Sequence, residues 1–358
     1  MNTTHLLIVF VLSIVCGFTT ARAAKPFLTG FDANYAIDMA ESGKKWNGET
    51  DPYSQLAQAG GNAFRVRLWT GDDGMNGLHY ATETAKRAQA AGLKPYLVIF
   101  LSDNWADLVK QPVPAIWKDL DEPAKLAAIE AYSAKVTKHF VDAGVKIEFY
   151  EIGNEIDFGI CGVFEEEWPK RVSIDYMRSQ IFSKMAPIIA AAQRGVRQVD
   201  ADAKFMLHLA QWHETDYCIE FFKFMTANGV ALDYAGLSYF PTSVKGERTP
   251  LAFIEKQIET IAVTTGKPII ICEYAFPSQP TFEGQFKDWN NPVEGYPLDE
   301  AGQAKWIAEF LSRMRSNKSV AGAFYWSPEW YGSNMWEAFC LFNDDGSPKP
   351  AMKAFGTK

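Results

Sequence analysis

Two glutamates, Glu155 and Glu273, each stand where a short apolar segment of the chain ends. If both segments are parallel strands of a closed barrel, their carboxyl ends meet at one face, where barrel enzymes place their catalytic groups. Two carboxylates that meet there are what retaining hydrolysis of a glycosidic bond requires. We predict that Glu155 is the acid/base and that Glu273 is the nucleophile. Glu151, deeper in the same strand as Glu155, is the alternative and is expected to have a structural role.

Polar residues near these glutamates are candidates for supporting them. Asn154 could hydrogen-bond the sugar 2-hydroxyl, a contact that strengthens in the transition state. A nucleophilic carboxylate needs a nearby cation, and Arg67 is predicted to supply it because it lies nearer the catalytic end of its strand than Arg65. The alternative is that either arginine pairs with an interior glutamate such as Glu151.

Three further residues are predicted to reach the site from later strands. His208 faces the interior if Met206 does, although a histidine within an apolar strand is often a core residue. Tyr239 is predicted to hydrogen-bond Glu273, and Trp326 to form a floor beneath the sugar. The alternative for both aromatic residues is packing in the core.

The elements that must position these residues alternate between apolar runs and amphipathic segments. The runs are nearly continuous in apolar residues, as in parallel strands that are covered on both faces. We predict eight strands at 27–33, 63–69, 95–101, 147–152, 205–210, 234–239, 268–273 and 322–326. Helices are predicted at 80–91, 123–143, 174–199, 216–227, 250–265 and 299–316, and Gly92, Gly144, Gly229 and Gly266 follow four of them as cap residues. The pattern favours a single-domain (β/α)8 TIM barrel over a doubly wound sheet, because eight strands are more than such a sheet needs and no Gly-rich phosphate turn follows the first strand.

The amino terminus is typical of a secretory signal peptide, with an apolar run from Leu6 to Phe18 and then Ala21-Arg22-Ala23. We predict a signal peptide at residues 1–23, a catalytic domain at 24–358, and a secreted or periplasmic protein. The alternative is an uncleaved anchor. The formal charge of −8 and the absence of a basic cluster make nucleic acid and anionic membranes poor partners.

The cysteines and histidines do not form a metal-binding motif, since the chain contains no C-x-x-C and no H-E-x-x-H. We therefore predict neither a metal nor a cofactor. Cys161 and Cys218 follow consecutive strands, and whether they form a disulfide is open. Cys272 is expected to point away from the site, because residues alternate along a strand and Glu273 points toward it.

The chain resembles the endo-β-1,4-galactanases of glycoside hydrolase family 53 over nearly its whole mature length. The resemblance is carried by the order and spacing of several short elements. They are Thr29-Gly-Phe-Asp32, Phe64-Arg-Val-Arg-Leu-Trp69, Ser102-Asp-Asn-Trp-Ala-Asp107, Glu151-Ile-Gly-Asn-Glu155, Met206-Leu-His-Leu-Ala210, Gly236-Leu-Ser-Tyr-Phe-Pro241, Glu273-Tyr-Ala-Phe-Pro277, Gly302-Gln-Ala and Phe324-Tyr-Trp326.

This resemblance implies a retaining (β/α)8 enzyme with Glu155 as acid/base and Glu273 as nucleophile. It also implies that Asp32, Trp69, Asp103 and Trp105 join the substrate-binding residues. The chain departs from the family where His-Tyr is replaced by Phe100-Leu101 and where Trp-Glu-Pro is replaced by Trp326-Ser327-Pro328. No clear counterpart of the calcium loop of some bacterial members stands between Pro277 and Pro297.

The predicted function is hydrolysis of β-1,4-galactan by a monomer whose partner is a polysaccharide or oligosaccharide. Because both departures remove polar groups from the barrel mouth, β-mannan, β-glucan or a galacto-oligosaccharide is an alternative substrate. A non-catalytic sugar-binding barrel is the alternative from another class, although it would not need two converging carboxylates.

Overall fold

The computed structural model describes residues 26–356, which form a closed barrel of eight parallel strands. Each strand pairs with the next in the chain, and the last pairs with the first. The predicted (β/α)8 barrel and all eight predicted strands are therefore confirmed. The strands are β1 (Leu28–Asp32), β2 (Ala63–Leu68), β3 (Lys94–Ile99), β4 (Tyr150–Ile152), β5 (Phe205–Leu209), β6 (Tyr234–Tyr239), β7 (Ile269–Tyr274) and β8 (Val320–Trp326).

The helices cover the outside of the barrel. One long helix follows each strand from β2 to β7, whereas β1 and β8 are followed by short helices. The long helices are Leu78–Ala90, Glu122–Asp142, Ser183–Arg197, Thr215–Ala227, Leu251–Thr265 and Glu300–Ser316. The shorter segments are Ala36–Glu41, Tyr53–Gln58, Trp168–Arg171 and Ile174–Tyr176, a π-helix at Met177–Phe182, 3₁₀ turns at Ala115–Trp117, Pro241–Ser243, Gly246–Arg248 and Pro350–Gly356, and a two-stranded ribbon of Gly159–Ile160 with Val163–Phe164.

The helix ends follow from local chemistry. Asp121 and Asp299 accept hydrogen bonds from backbone N–H groups in the first turns of their helices, as N-cap residues do. The four predicted cap glycines have φ between 68° and 89°, a left-handed conformation that only glycine adopts without strain. The predicted helix at 174–199 is interrupted by the π-helix. Pro187, within the helix Ser183–Arg197, has no N–H to offer the preceding turn.

The barrel interior is a small apolar core beneath the catalytic face. Tyr96, Phe149, Met206 and Phe324 are among its buried side chains. Gly30 makes room for one of them, since a Cβ at position 30 would lie 2.0 Å from the Phe324 ring. Small and large residues thus interdigitate across the barrel, as close packing requires.

One strand departs from simple alternation. The pairing of β6 with β7 jumps from Leu237–Ile271 to Ser238–Glu273, so Cys272 is an extra residue in the ladder. Such a bulge turns consecutive side chains toward the same face. Cys272 lies in the interior core, and its thiol is 3.6 Å from the Met206 sulfur. The expectation that Cys272 points away from the site was therefore wrong.

Other predictions have mixed outcomes. The predicted signal peptide lies outside the described residues. Cys161 and Cys218 are buried free thiols and form no disulfide. Cys218 lies in the helix Thr215–Ala227, where its thiol donates to the Gln211 carbonyl at 3.2 Å. Between residues 26 and 356, no helix combines the length and the apolar character needed to cross a bilayer.

Two helices approach each other closely at Gly195, and this contact can be tested. A Cβ there would lie 2.1 Å from the Glu130 carbonyl oxygen of the neighbouring helix. We expect Gly195→Ala to lower the free energy of unfolding by about 1–3 kcal/mol through overpacking, although alanine favours helices by about 1 kcal/mol. Urea denaturation measures the change. In Gly71→Ala, the control, the new Cβ meets only the Asp73 carbonyl at 3.6 Å, and an equal loss there would contradict the packing argument.

Candidate active site

Glu155 and Glu273 line the same cleft at the carboxyl ends of the strands. Glu273 is the fifth residue of β7, and Glu155 lies three residues beyond β4. Both side chains are more than nine-tenths buried. The backbone of Glu155 has φ of 45°, a left-handed conformation that costs energy for a residue with a side chain. The fold thus holds a strained glutamate at the floor of the cleft.

Aromatic rings form most of the cleft wall. The cleft encloses about 650 Å³, and seven tryptophans line it. Tyr35 and Trp330 stack with ring centroids 4.1 Å apart and connect the loops after β1 and β8. The tryptophans are Trp69, Trp105, Trp212, Trp289, Trp326, Trp330 and Trp336. Flat apolar faces of this kind suit the C–H faces of sugar rings.

The Arg65 guanidinium lies at the centre of the site and is fully buried. Its Nη1 donates to Asp32 and to Glu273 at 2.7 Å each. Its Nε and Nη2 donate to the two carboxylate oxygens of Glu151 at 3.2 and 2.7 Å, and Nη2 also donates to Asn154 at 2.6 Å. The five N–H groups of an arginine thus meet five acceptors.

Arg65, not Arg67, is the cation that contacts Glu273, so the prediction for Arg67 was wrong. Arg67 donates to Asp32 and to Ser327. Burial raises the pKa of Glu273, while the opposite charge of Arg65 acts to lower it. Arg65 and Arg67 lie on one face of β2, and Arg65 is the deeper of the two. Arg65 contacts both Glu151 and Glu273, because these carboxylates point down into the barrel.

Glu155 has a different environment. It forms no hydrogen bond or ion pair with either arginine, and the Ser238 Oγ lies 2.6 Å from its Oε1. Burial and the charge of Glu273 raise the pKa of Glu155 well above the ordinary value, against the lowering effect of Ser238. A carboxyl of raised pKa beside one that is bound to a cation is the division that acid catalysis needs.

The predicted residues fall into three groups. Trp69, Trp105 and Trp326 line the cleft together with the two glutamates. Four others are fully buried and do not line the cleft, and all but Arg67 contact Arg65: Asp32, Arg67, Asn154 and His208. Asp103 is an exposed loop residue that accepts a hydrogen bond from the Ala115 N–H at 2.7 Å.

Tyr239 does not reach Glu273, which corrects the prediction. Its ring lies outside the barrel against Trp212, Trp306 and Phe310, and its buried hydroxyl has no partner among the described residues. Ser238, one position earlier, faces the cleft instead. The alternation of side chains along β6 could have identified Ser238, since Gly236 and Ser238 share one face.

Sequence reasoning also missed part of the cleft wall. Tyr35, Trp212, Phe286, Trp289, Trp330 and Trp336 come from loops, for which no periodic pattern indicates direction.

The two departures from the family pattern lie at the site. Phe100 packs in the barrel core with its ring 5.7 Å from that of Trp105. Ser327 contacts Arg67 at 3.2 Å, and the Arg67 Nη1 is buried without a partner in the part of the chain that the structure describes. Both side chains are fully buried and neither lines the cleft, so the two departures change the support beneath the cleft and not its wall.

Glu151, His208 and Cys272 are the one group within residues 26–356 whose ligand atoms could hold a metal ion. Both oxygens of Glu151 already accept hydrogen bonds from Arg65. The Cys272 thiol lies in the apolar core, and burial raises its pKa well above the ordinary value. Because metal ligands must be deprotonated and uncommitted, this group does not fit a metal.

A closed (β/α)8 barrel with two glutamates at strand ends beneath an aromatic cleft defines a glycoside hydrolase. The family model for Glycosyl hydrolase family 53 matches residues 28–355, and the chain belongs to that family. It is a glycosidase.

The comparisons with individual proteins agree. The chain is 29% identical over 305 residues to the probable arabinogalactan endo-β-1,4-galactanase A of Aspergillus tubingensis, covering 82% of this chain and 81% of the relative. It is 28% identical to the endo-β-1,4-galactanase of Bacillus subtilis strain 168, covering 86% and 71%. The solved Ignisphaera aggregans GH53 catalytic domain matches with a TM-score of 0.76 and 25% identity, covering 92% and 95%. A fungal β-1,4-galactanase shares the fold, with a TM-score of 0.78, 23% identity and coverage of 92% and 98%.

The placement of Tyr239 predicts that its hydroxyl is dispensable. In Tyr239→Phe we expect unchanged glycan hydrolysis and a free energy of unfolding within about 1 kcal/mol of wild type, because no hydrogen bond is lost. Initial rates and urea denaturation measure the two quantities. A loss of about 100-fold or more in kcat, the range of a catalytic hydrogen bond, would restore the role that the sequence suggested.

Proposed function

We propose that this protein hydrolyses β-1,4-galactan by double displacement, with Glu273 as nucleophile and Glu155 as acid/base. The observation that carries the proposal is the contrast between two carboxyls in one cleft. Burial raises the pKa of both groups. Glu273 is bound to the Arg65 cation, which acts to lower its pKa, whereas Glu155 has only a hydroxyl as partner and its pKa is raised well above the ordinary value. The choice of galactan rests on relatives that are named as galactanases.

The mechanism follows from these environments. The Glu273 carboxylate attacks the anomeric carbon, the bond to the leaving oxygen breaks, and the Glu155 proton passes to that oxygen. Glu273 is then esterified and uncharged, so the repulsion that raises the pKa of Glu155 disappears. The Glu155 carboxylate takes a proton from water, the water oxygen attacks the anomeric carbon, and Glu273 is released as a carboxylate.

The cleft wall favours an uncharged polymer. Apart from the two glutamates, its charged side chains are Asp107 and Lys110. The Asp107 carboxylate accepts hydrogen bonds from the Trp105 indole and from the backbone of Val109 and Lys110. Aromatic faces with few charges suit a neutral glycan better than an acidic one.

Another β-glycan is the second candidate substrate. Phe100 and Ser327 replace polar residues of the family pattern beneath the cleft, and a site whose supporting polar groups differ does not select as strongly for the same hydroxyl configuration. This observation changes the sugar and leaves the chemistry unchanged.

We further infer that residues 1–23 direct export and are removed, and that the mature protein acts as a monomer outside the cytoplasm. The apolar run and the Ala21-Arg22-Ala23 site support export.

The test of the proposed function is reducing-sugar release from unbranched β-1,4-galactan, with β-mannan, β-glucan and xylan alongside. We expect galactan to be cleaved by the wild type, and we expect Glu273→Gln and Glu155→Gln to lose about 1,000-fold or more of kcat, because each removes a reacting group.

Glu283→Gln is the matched control, since Glu283 is exposed in the loop after β7 and does not line the cleft. Activity on another glycan alone would overturn the choice of galactan and keep the mechanism. Full activity in both Gln variants would overturn the assignment of the two glutamates.

A further inference from the structure

Four buried side chains form a continuous chain of hydrogen bonds that ends at Glu155. The Ser238 Oγ lies 2.6 Å from Glu155 Oε1 and 2.8 Å from His208 Nε2. His208 Nδ1 lies 3.0 Å from Glu151 Oε1. Ser238, His208 and Glu151 are at most 1% exposed, so water does not compete for these contacts. The double-displacement mechanism above assigns no role to Ser238 or His208.

The Glu151 end of this hydrogen-bond chain limits where its protons can lie. Burial would raise the pKa of Glu151, but the charge of Arg65 is the largest effect that lowers it, and the pKa is about 2. Glu151 is therefore a carboxylate that can only accept, and His208 Nδ1 must carry the proton in that hydrogen bond. A neutral His208 then has a bare Nε2, which faces Ser238 as an acceptor.

A guanidinium lies beside the His208 ring. The Arg65 Nη2 lies 3.5 Å from Nδ1, so a second positive charge on the ring would stand beside a guanidinium. The carboxylate of Glu151, which could offset such a charge, is already paired with that same guanidinium.

Ser238 therefore has one hydroxyl proton and two acceptors. When Glu155 is protonated, Glu155 can donate to Ser238, Ser238 to His208, and His208 to Glu151, and every donor in the chain has an acceptor. When Glu155 is ionised, the Ser238 hydroxyl turns to Glu155, and His208 Nε2 loses its donor. Ionisation of Glu155 thus breaks one buried hydrogen bond elsewhere in the chain.

We propose that Ser238 is a two-position hydrogen-bond switch, shared between Glu155 and a neutral His208, in which the bond to His208 favours the acid form of Glu155 until Glu155 protonates the leaving oxygen. The proposal rests on the proposed function, in which Glu155 is the acid/base. Ser238 and His208 are positioning residues.

The switch moves no net charge. When the Glu155 proton passes to the leaving oxygen, the Ser238 O–H rotates from His208 to the new carboxylate. When Glu155 takes a proton from water in the second step, the O–H rotates back to His208. The unpartnered Nε2 in between makes return of the proton to Glu155 more favourable, so the same device serves the base step.

Other charged groups also act on this chain. Glu273, Asp107 and Asp157 raise the pKa of Glu155. The His208 ring interacts with Glu273 and Asp157 as well as with Arg65 and Glu151. All of these groups stay in place in the variants below, so a change in the Glu155 titration reports on the switch.

The decisive experiment is a titration of Glu155 by ¹³C NMR of carboxyl-labelled glutamate in the substrate-free protein, with the signal assigned from Glu155→Gln. In His208→Phe the acid form loses a hydrogen bond and the ionised form loses none. We expect the pKa of Glu155 to fall by about one pH unit. When Ser238→Ala is already present, His208→Phe is expected to change the pKa of Glu155 little, because the hydrogen-bond connection between His208 and Glu155 is gone.

If His208 were always the donor in its hydrogen bond with Ser238, the pKa of Glu155 would change in the opposite direction. If His208 were a cation that donates to Ser238, its removal would raise the pKa of Glu155 in His208→Phe. That result, or an equal fall without Ser238, would overturn the proposal.

His208→Gln is the conservative variant for the case in which His208→Phe does not fold. A glutamine amide can donate to Glu151 and accept from Ser238 but cannot hold a positive charge, so the titration of Glu155 should stay near that of wild type. A rise in its pKa would point to a lost cation and overturn the switch. Ser243→Ala is the matched serine control, since Ser243 also lines the cleft and its hydroxyl donates to the Phe240 carbonyl.

The NMR result does not depend on the substrate. If no glycan is cleaved, the titration still decides whether the switch exists, and only the proposed function fails. With an active enzyme, the alkaline limb of kcat/KM should move to lower pH in His208→Phe and stay in place in His208→Gln, because that limb reports the acid in the free enzyme. An unmoved limb in His208→Phe would contradict the switch.

Discussion

The site depends on one interaction, the placement of the Arg65 guanidinium among three buried carboxylates. Asp32, Glu151 and Glu273 each lie 2.7 Å from one of its nitrogens. Removing one partner from a buried ion pair typically costs about 3–5 kcal/mol, because a charge is left uncompensated. Arg65 therefore makes it possible to bury a nucleophile, and it does so from β2, across the barrel from β7. Glu155 lies outside this network, which lets the two glutamates differ in charge.

The barrel supplies what Arg65 needs. Its interior is filled by apolar side chains up to the level of Arg65, so the guanidinium packs against an apolar core on its lower side. Cys272 already points into the barrel, so regular alternation would turn Glu273 outward. The bulge at Cys272 lets Glu273 point inward as well. Above this level the wall becomes aromatic, and apolar surroundings strengthen electrostatic interactions where charge develops during a reaction. Along the barrel axis, the side chains therefore change from an apolar core, through buried ion pairs, to the aromatic wall of the cleft.

Much of this arrangement could be predicted from the chain. The apolar runs before Glu155 and Glu273 marked strands and strand ends, because parallel strands that are covered on both faces are predominantly apolar. Side-chain direction was harder. Arg65 and Arg67 point to the same face of β2, so alternation does not tell which of them contacts Glu273. That depends on how deep in the barrel the partner carboxylates lie, which is a property of the three-dimensional structure. The bulge at Cys272 reflects strand pairing, which depends on neighbours far away in sequence. The choice of Ser238 over Tyr239, by contrast, could have been made from the alternation along β6. The aromatic loops carry no periodic signal.

The central claim is that the two glutamates act as nucleophile and acid/base on one glycosidic bond. It is tested most directly by the anomeric configuration of the first product. Proton NMR during the first minutes of galactan cleavage distinguishes a β reducing end from an α one before mutarotation mixes them. Double displacement at Glu273 predicts the β product, with the configuration of the substrate retained. An α product would mean that water attacks the sugar directly, and it would contradict the role of Glu273 as nucleophile.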